Sequence, residues 1–167
     1  MPSPLLFCHG LESAPIGRKS QGLIDLGYDV TAPDCRGQGL AARVDILTDA
    51  IAAFESAPLV VGSSFGGIAG LIAVILAHRA GTSVAGLVLC APALQLPPPA
   101  DTVTDLAPPC PTIVVHGTGD DVIPIAHSRS FCDRYGCPLV EVDDTHGLPN
   151  AGFAAIVGAV KDLAGSR

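Results

Sequence analysis

The sequence has few charged side chains, few aromatic ones and no tryptophan. Charged residues make up 15% of its 167 residues, and aromatic residues make up 4%. Nine Lys and Arg stand against sixteen Asp and Glu, which gives a formal net charge of −7. A nucleic-acid-binding protein is expected to carry a basic stripe, whereas these basic residues are scattered. We therefore predict no nucleic-acid partner, and the acidic charge says nothing about the substrate.

Long hydrophobic runs are also missing. The longest apolar stretch, from Gly66 to Ala77, ends at His78 and Arg79, whereas about 20 apolar residues are needed to span a bilayer. The N-terminus shows no basic segment followed by an apolar stretch, so no secretory signal peptide is predicted. These features favour a cytoplasmic protein that does not bind a membrane.

Paired cysteine motifs are absent, although the chain contains six cysteines. No two of them have CxxC spacing, and the sequence shows no cluster of residues that would suit a zinc site. Cys8, Cys35 and Cys90 lie within or at the ends of apolar runs, which is typical of buried thiols in a reducing compartment. We predict neither a disulfide framework nor a metal site.

Small and branched apolar residues are what the chain has in excess. Apolar residues make up 49% of it, mainly Ala, Val, Leu and Ile, as in buried parallel strands and the helices packed on them. The length suits one domain over residues 1–167. Six strand-like runs alternate with helix-length segments. This alternation predicts a three-layer α/β/α fold around a mostly parallel six-stranded sheet.

The predicted elements follow from these patterns and from the turn residues between them. The predicted strands are Leu5–Cys8, Tyr28–Ala32, Leu59–Val61, Gly86–Cys90, Thr112–His116 and Leu139–Val142. The predicted helices are Gly17–Leu26, Ala41–Glu55, Phe65–Arg79, Ile125–Tyr135 and Asn150–Leu163. In the second helix, Val44, Leu47, Ile51 and Phe54 share one face. The segment Ala91–Pro111 carries seven prolines, which predict a loop.

One glycine-rich turn has the pattern of a nucleophile site. Residues 62–66 read Gly-Ser-Ser-Phe-Gly, or G-x-S-x-G, between a predicted strand and a predicted helix. A sharp strand-to-helix turn strains the serine and needs glycine at Gly62 and Gly66 to avoid clashes, and it places the hydroxyl at a helix N-terminus. The spacing selects Ser64 over Ser63. The alternative is an ordinary tight turn before a helix.

An acid and a base follow two later strands. Asp120 lies in the run HGTGDDVIP at His116–Pro124, and His146 lies in DDTHG at Asp143–Gly147. An Asp can hold a His in one tautomer, and the His can take a proton from a serine. Taken alone, Asp120 could form an Asx-turn, Asp121 a cap and His146 a surface loop. Together they are more informative, because each candidate follows a different parallel strand, where such sheets place their sites.

The first strand is followed by His9-Gly10-Leu11. The turn there can aim a backbone N–H at the site, and with the N–H of Phe65 it would form an oxyanion hole. We predict Leu11 as the first donor. The alternative, that His9 and Gly10 only shape the turn, is compatible with this role. His116 ends a strand, and we expect it to make a structural hydrogen bond.

With these motifs the chain resembles the α/β-hydrolase superfamily. The matching segments are CHG at Cys8–Gly10, APDCRGQG at Ala32–Gly39, GSSFGG at Gly62–Gly67, HGTGDDVIP and DDTHG. The resemblance implies a nucleophile at Ser64, an acid at Asp120, a base at His146, and oxyanion donors at Leu11 and Phe65. It also implies a minimal version of the fold, which lacks two N-terminal strands and has only the proline-rich loop where many members carry a helical cap.

The resemblance leaves several activities open. A serine hydrolase acting on small carboxylic esters through an acyl-enzyme on Ser64 is the favoured hypothesis, and no cofactor is needed for it. A thioesterase or a peptidase would use the same residues. A catalytically inactive binding protein on a hydrolase scaffold is the alternative from another class. Without a cap, an open site favours small substrates over long lipids. An exposed sheet edge at Tyr28–Ala32 makes a homodimer a further expectation.

Overall fold

The computed structural model describes residues 4–165. Its strands are β1 (Pro4–Cys8), β2 (Asp29–Thr31), β3 (Leu59–Ser63), β4 (Gly86–Cys90), β5 (Thr112–Gly117) and β6 (Leu139–Val142). Its helices are α1 (Arg18–Asp25), α2 (Leu40–Ala52), α3 (Phe65–Arg79), α4 (Ala126–Tyr135) and α5 (Ala151–Gly165). The strands form one sheet in the order β2-β1-β3-β4-β5-β6, and every neighbouring pair is parallel. The predicted α/β architecture is confirmed.

Helices cover both faces of the sheet because the central strands are apolar on both sides. Alternate strand residues, such as Leu6 and Val60, pack with α2, α3 and α4 in one core cluster. The residues between them, such as Phe7 and Val61, pack with α1 and α5 in a second cluster. The three layers therefore follow from strands in which successive side chains point to opposite faces.

Some elements are shorter than the sequence predicts. The edge strand β2 forms only over Asp29–Thr31, because these three residues alone pair with β1. Helix α2 ends at Ala52 instead of Glu55. Pro58 disfavours a helical conformation in the residue before it, and β3 begins at Leu59, directly after the proline. The chain therefore has to leave the helix and turn between Ala52 and Pro58. Phe54 nevertheless packs, half-buried, against the core.

The proline-rich segment 91–111 contains no helix or strand, as predicted. No helical cap therefore stands between β4 and β5. Because all six strands run in parallel, the segments that follow their carboxyl ends meet at one edge of the sheet. Ser64, Asp120 and His146 all lie in such segments, after β3, β5 and β6 respectively.

Candidate active site

Ser64 occupies a strained turn between β3 and α3. Its φ is 55° and its ψ is −116°, a combination that is costly for a residue with a side chain and that occurs mainly at functional sites. A Cβ at Gly66 would lie 2.2 Å from the carbonyl oxygen of Cys8, and one at Gly62 would lie 2.8 Å from that of Gly66. Only glycine fits these two places, so the turn depends on both glycines.

The three candidate catalytic side chains form one hydrogen-bonded chain. The Ser64 Oγ lies 3.0 Å from Nε2 of His146, and Nδ1 of His146 lies 2.7 Å from Oδ2 of Asp120. A carboxylate can only accept, so Nδ1 carries a proton and Nε2 is left to accept from the Ser64 hydroxyl. The Asp120 side chain is fully buried, whereas that of His146 is 22% exposed. The structure thus brings together three residues that are 56 and 26 positions apart in the sequence.

Both oxygens of Asp120 are held. Its Oδ1 accepts hydrogen bonds from the N–H groups of Val122 and Ile123, at 2.9 and 2.8 Å. Burial by itself raises the pKa of the Asp120 carboxyl, but the hydrogen bonds from Ile123, His146 and Val122 outweigh it and lower that pKa. Asp120 therefore forms an Asx-type turn and faces His146 at the same time. The exposed Asp121, the other candidate for a cap here, does not make these turn bonds.

A second histidine, His116 at the end of β5, lies against the same carboxylate. Its Nε2 is 3.1 Å from Oδ2 of Asp120 and 3.0 Å from the carbonyl oxygen of Ile123, and its Nδ1 is 2.7 Å from the hydroxyl of Ser128. The structural hydrogen bond predicted for His116 is present. Its contact with Asp120 was not predicted, although the i,i+4 spacing within HGTGDD was a possible signal.

Asp144 organises the loop that carries His146. Its Oδ1 accepts the N–H of Thr145, and its Oδ2 accepts those of Asn150 and Gly152, each at 2.9 Å. The carboxylate thereby caps the start of α5. Burial raises the pKa of Asp144, but the bonds from Gly152, Asn150 and Thr145 outweigh it, and the pKa is lowered. Sequence reasoning gave Asp144 no role of its own.

The loop after β1 carries the backbone N–H of Leu11, a residue that lines the same cleft as Ser64. The N–H of Leu11 has no acceptor among residues 4–165, and the N–H of Phe65, at the first position of α3, has none either. His9 is buried; its Nε2 accepts the N–H of Cys35 at 2.9 Å, and its Nδ1 donates to the carbonyl of Gly10 at 2.8 Å. Burial, together with nearby Arg43, lowers the pKa of His9, so the ring is neutral in this tautomer.

Arg43 of α2 lies beneath the same loop and is only 1% exposed. Its guanidinium donates to the carbonyl oxygens of His9 at 2.7 Å, Gly10 at 3.3 Å and Leu11 at 3.4 Å. Its Cζ also lies 4.9 Å from the centroid of the Phe65 ring. Burial lowers the pKa of this guanidinium, yet an arginine stays charged at any pH that a folded protein tolerates.

Ser64 and His146 open into a cleft of about 530 Å³, a size typical of small-molecule sites. Its rim is solvent-accessible, since Leu11 and Val122 are 56% and 62% exposed. One wall carries Lys19, which is half-buried, and burial lowers the pKa of its ammonium. The apolar lining consists of Leu11, Phe65, Ala93, Leu96, Val122 and Ile123.

Metal ligands are not assembled in the described part of the chain. Residues 4–165 contain no group of three or more His, Cys, Asp or Glu side chains that could hold a metal ion. The six cysteines are unpaired thiols.

Within residues 4–165, no helix is both long enough and apolar enough to cross a bilayer.

Comparisons with known proteins place the chain in a family. Similar solved structures include a Xanthomonas campestris pv. campestris protein described as a hydrolase of the alpha/beta superfamily (22% identity, 99% of both chains covered, TM-score 0.76). Others are mouse alpha/beta hydrolase domain-containing protein 10 (19%, 98% of this chain and 90% of that one, TM-score 0.78) and a Paleococcus ferrophilus monoacylglycerol lipase (15%, 97% and 96%, TM-score 0.73).

At these identities the structural likenesses establish the fold alone. No curated protein sequence matches the chain. The sequence model of the alpha/beta hydrolase family matches residues 5–109, which is more than half of the 167 residues. The chain belongs to the alpha/beta hydrolase family.

Proposed function

We propose that the protein is a serine hydrolase that cleaves carboxylic ester or thioester bonds of small substrates through an acyl-enzyme on Ser64. The observation that supports this most is the unbroken chain of hydrogen bonds from Ser64 through His146 to Asp120. Its polarity suits proton transfer, since Nε2 of His146 faces the serine hydroxyl as an acceptor.

Each step of the proposed reaction is assigned to a residue of the site. His146 takes the Ser64 proton as Oγ attacks the substrate carbonyl carbon, and the oxygen of the tetrahedral intermediate accepts the N–H groups of Leu11 and Phe65. Asp120 keeps the His146 ring in the reactive tautomer and stabilises its charged form. The intermediate collapses as His146 returns the proton to the departing alcohol or thiol. Water, activated by the same histidine, then releases the acid.

The position of Ser64 supports catalysis in a further way. Helix α3 begins at Phe65 and is 15 residues long, so its free N–H groups and its dipole favour negative charge beside Ser64. The cleft has room for a small acyl group and no cap that would enclose a long chain. We therefore expect short and medium acyl chains to react faster than long ones.

The test is hydrolysis of p-nitrophenyl esters from acetate to octanoate by the wild type and by Ser64→Ala. Turnover that falls to background in the variant, with a maximum at short to medium chains, supports the proposal. Thioesters and anilides with the best acyl group would then rank the bond types. A wild type that turns over none of these and does not react with an organophosphonate would instead favour a binding protein on a hydrolase scaffold.

A further inference from the structure

A buried arginine, Arg43, contacts both residues whose backbone N–H groups serve as oxyanion donors in the proposed mechanism, Leu11 and Phe65. Arg43 is 1% exposed, and the described part of the chain places no carboxylate in an ion pair with it. Burying a charge without a counter-ion is costly unless hydrogen bonds replace its water. All of its hydrogen bonds go to backbone carbonyls, three of them in the loop 9–11.

Because of the geometry of the peptide bond, these contacts determine the direction in which the N–H of Leu11 points. The carbonyl of Gly10 and the N–H of Leu11 belong to one peptide unit, which is planar and trans, so the two groups point in opposite directions. Arg43 and His9 both donate to the Gly10 oxygen, at 3.3 and 2.8 Å. Because the oxygen is held against Arg43, the N–H of Leu11 has to point away from it.

Phe65, the residue that supplies the second donor, contacts the same guanidinium through its ring. The Phe65 ring lies under Arg43, with 4.9 Å between the ring centroid and Cζ, a distance at which a cation attracts the face of an aromatic ring. Phe65 supplies the other N–H of the proposed oxyanion hole. One side chain on α2 thus contacts both the loop after β1 and the first residue of α3.

We propose that Arg43 is a positioning residue that sets the geometry of the oxyanion hole formed by Leu11 and Phe65. This inference rests on the proposed hydrolase function. It assigns Arg43 an effect on the transition state, in which the carbonyl oxygen carries charge, and little effect on the binding of the uncharged substrate. A purely structural arginine would change the stability of the fold and leave turnover per folded molecule intact.

The test compares Arg43→Met and Arg43→Lys with Leu47→Ala. Leu47 lies one helical turn further along α2, is 1% exposed and does not line the cleft, so its truncation destabilises the same helix without touching the loop. For each variant kcat and KM are measured on the best p-nitrophenyl ester, normalised to the folded sites counted by organophosphonate labelling. Affinity for a trifluoromethyl ketone, whose hemiketal carries an oxyanion, is the second measurement.

We expect Arg43→Met to lower kcat by about 100-fold with KM changed less than threefold, as when an oxyanion donor is lost. Ketone affinity should fall in parallel. Arg43→Lys should recover about tenfold, because an ammonium can still bond a carbonyl but cannot lie flat on the Phe65 ring. Leu47→Ala should lower the unfolding midpoint and keep both kcat per folded site and ketone affinity.

Two results would overturn the inference. One is a folded Arg43→Met with kcat and ketone affinity within threefold of the wild type. The other result applies if Arg43→Met does not fold. In that case, an Arg43→Lys variant with the kcat and ketone affinity of the wild type would show that the planar guanidinium does not set the geometry of the oxyanion hole. Failure of the hydrolase proposal looks different, since the wild type itself would then show no Ser64-dependent turnover.

Discussion

Asp120 and His116 approach within 3.1 Å, between Oδ2 and Nε2, and both side chains are fully buried. The other neighbour of this nitrogen is the Ile123 carbonyl, so Nε2 faces only acceptors and has to carry a proton. The hydrogen bond of this N–H goes to Ile123, so its ring nitrogen lies beside Oδ2 of Asp120 while that oxygen accepts a hydrogen bond from Nδ1 of His146. The Asp120 carboxylate is therefore enclosed by two histidine rings, of which His146 is the hydrogen-bond donor.

Replacing Asp120 by Asn is expected to lower kcat about 10³- to 10⁴-fold. If the amide oxygen keeps the turn bonds to Val122 and Ile123, its NH₂ group faces His146. The ring then has to put its proton on Nε2, where it cannot accept from Ser64. The fold should remain, as circular dichroism can check.

Asp121→Asn is the matched control, because Asp121 is adjacent but exposed. We expect its kcat within twofold of the wild type. Equal effects of the two substitutions would contradict the role given to Asp120.

The cap made by Asp144 predicts how stability depends on pH. The folded-state pKa of Asp144 is lowered, so its stabilisation is complete above the unfolded-state pKa near 4 and is lost as the pH falls through the lower folded-state value. Asp144→Asn should therefore lower the melting temperature at pH 7, and the difference from the wild type should shrink below about pH 4.

Thermal melts from pH 7 to pH 3 measure this effect. Asp143→Asn serves as the control, since Asp143 is exposed and should give a melting temperature close to the wild type at pH 7. A difference between Asp144→Asn and the wild type that stays constant down to pH 3 would rule out the ionised cap.

Gly66 and Gly158 give opposite predictions for the same substitution. Alanine at Gly66 would place its Cβ 2.2 Å from a backbone oxygen, so α3 has to move, and we expect a loss of about 3 kcal/mol in unfolding free energy together with lower turnover. At Gly158 in α5 nothing lies within 4 Å, and alanine should stabilise the helix by about 0.5–1 kcal/mol. Urea unfolding of both variants measures the two changes in unfolding free energy. A stable, active Gly66→Ala would show that the turn tolerates a side chain.

The cysteines are expected to be inert in the native protein. Burial raises the pKa of Cys90 to about 12 and that of Cys110 to about 11, so both thiols are protonated and unreactive at pH 8. Iodoacetamide at pH 8 should leave ester hydrolysis intact and should modify all six thiols only in denaturant, as intact-mass spectrometry can show. Rapid inactivation with a single adduct on Cys90 would contradict this account.

The sequence was sufficient to predict the elements that hold Ser64, Asp120 and His146, because each follows an apolar run and carries local turn signals. Strand order and the hydrogen bonds between these residues are tertiary and needed the structure. Arg43 illustrates the difference. Arg43 lies four residues before Leu47 and shares its helix face, so the sequence alone shows a charged residue on the apolar face of α2. Its partners in the loop 9–11 lie more than 30 positions away in the sequence, and only the structure identifies them.

The identity of the nucleophile is the central claim, and covalent labelling tests it most directly. The wild type, Ser63→Ala and Ser64→Ala are incubated with a fluorophosphonate, and the adduct is located by peptide mass spectrometry. We predict one adduct on Ser64 in the wild type and in Ser63→Ala, and none in Ser64→Ala. An adduct that persists in Ser64→Ala, or that is absent from the wild type, would contradict the account.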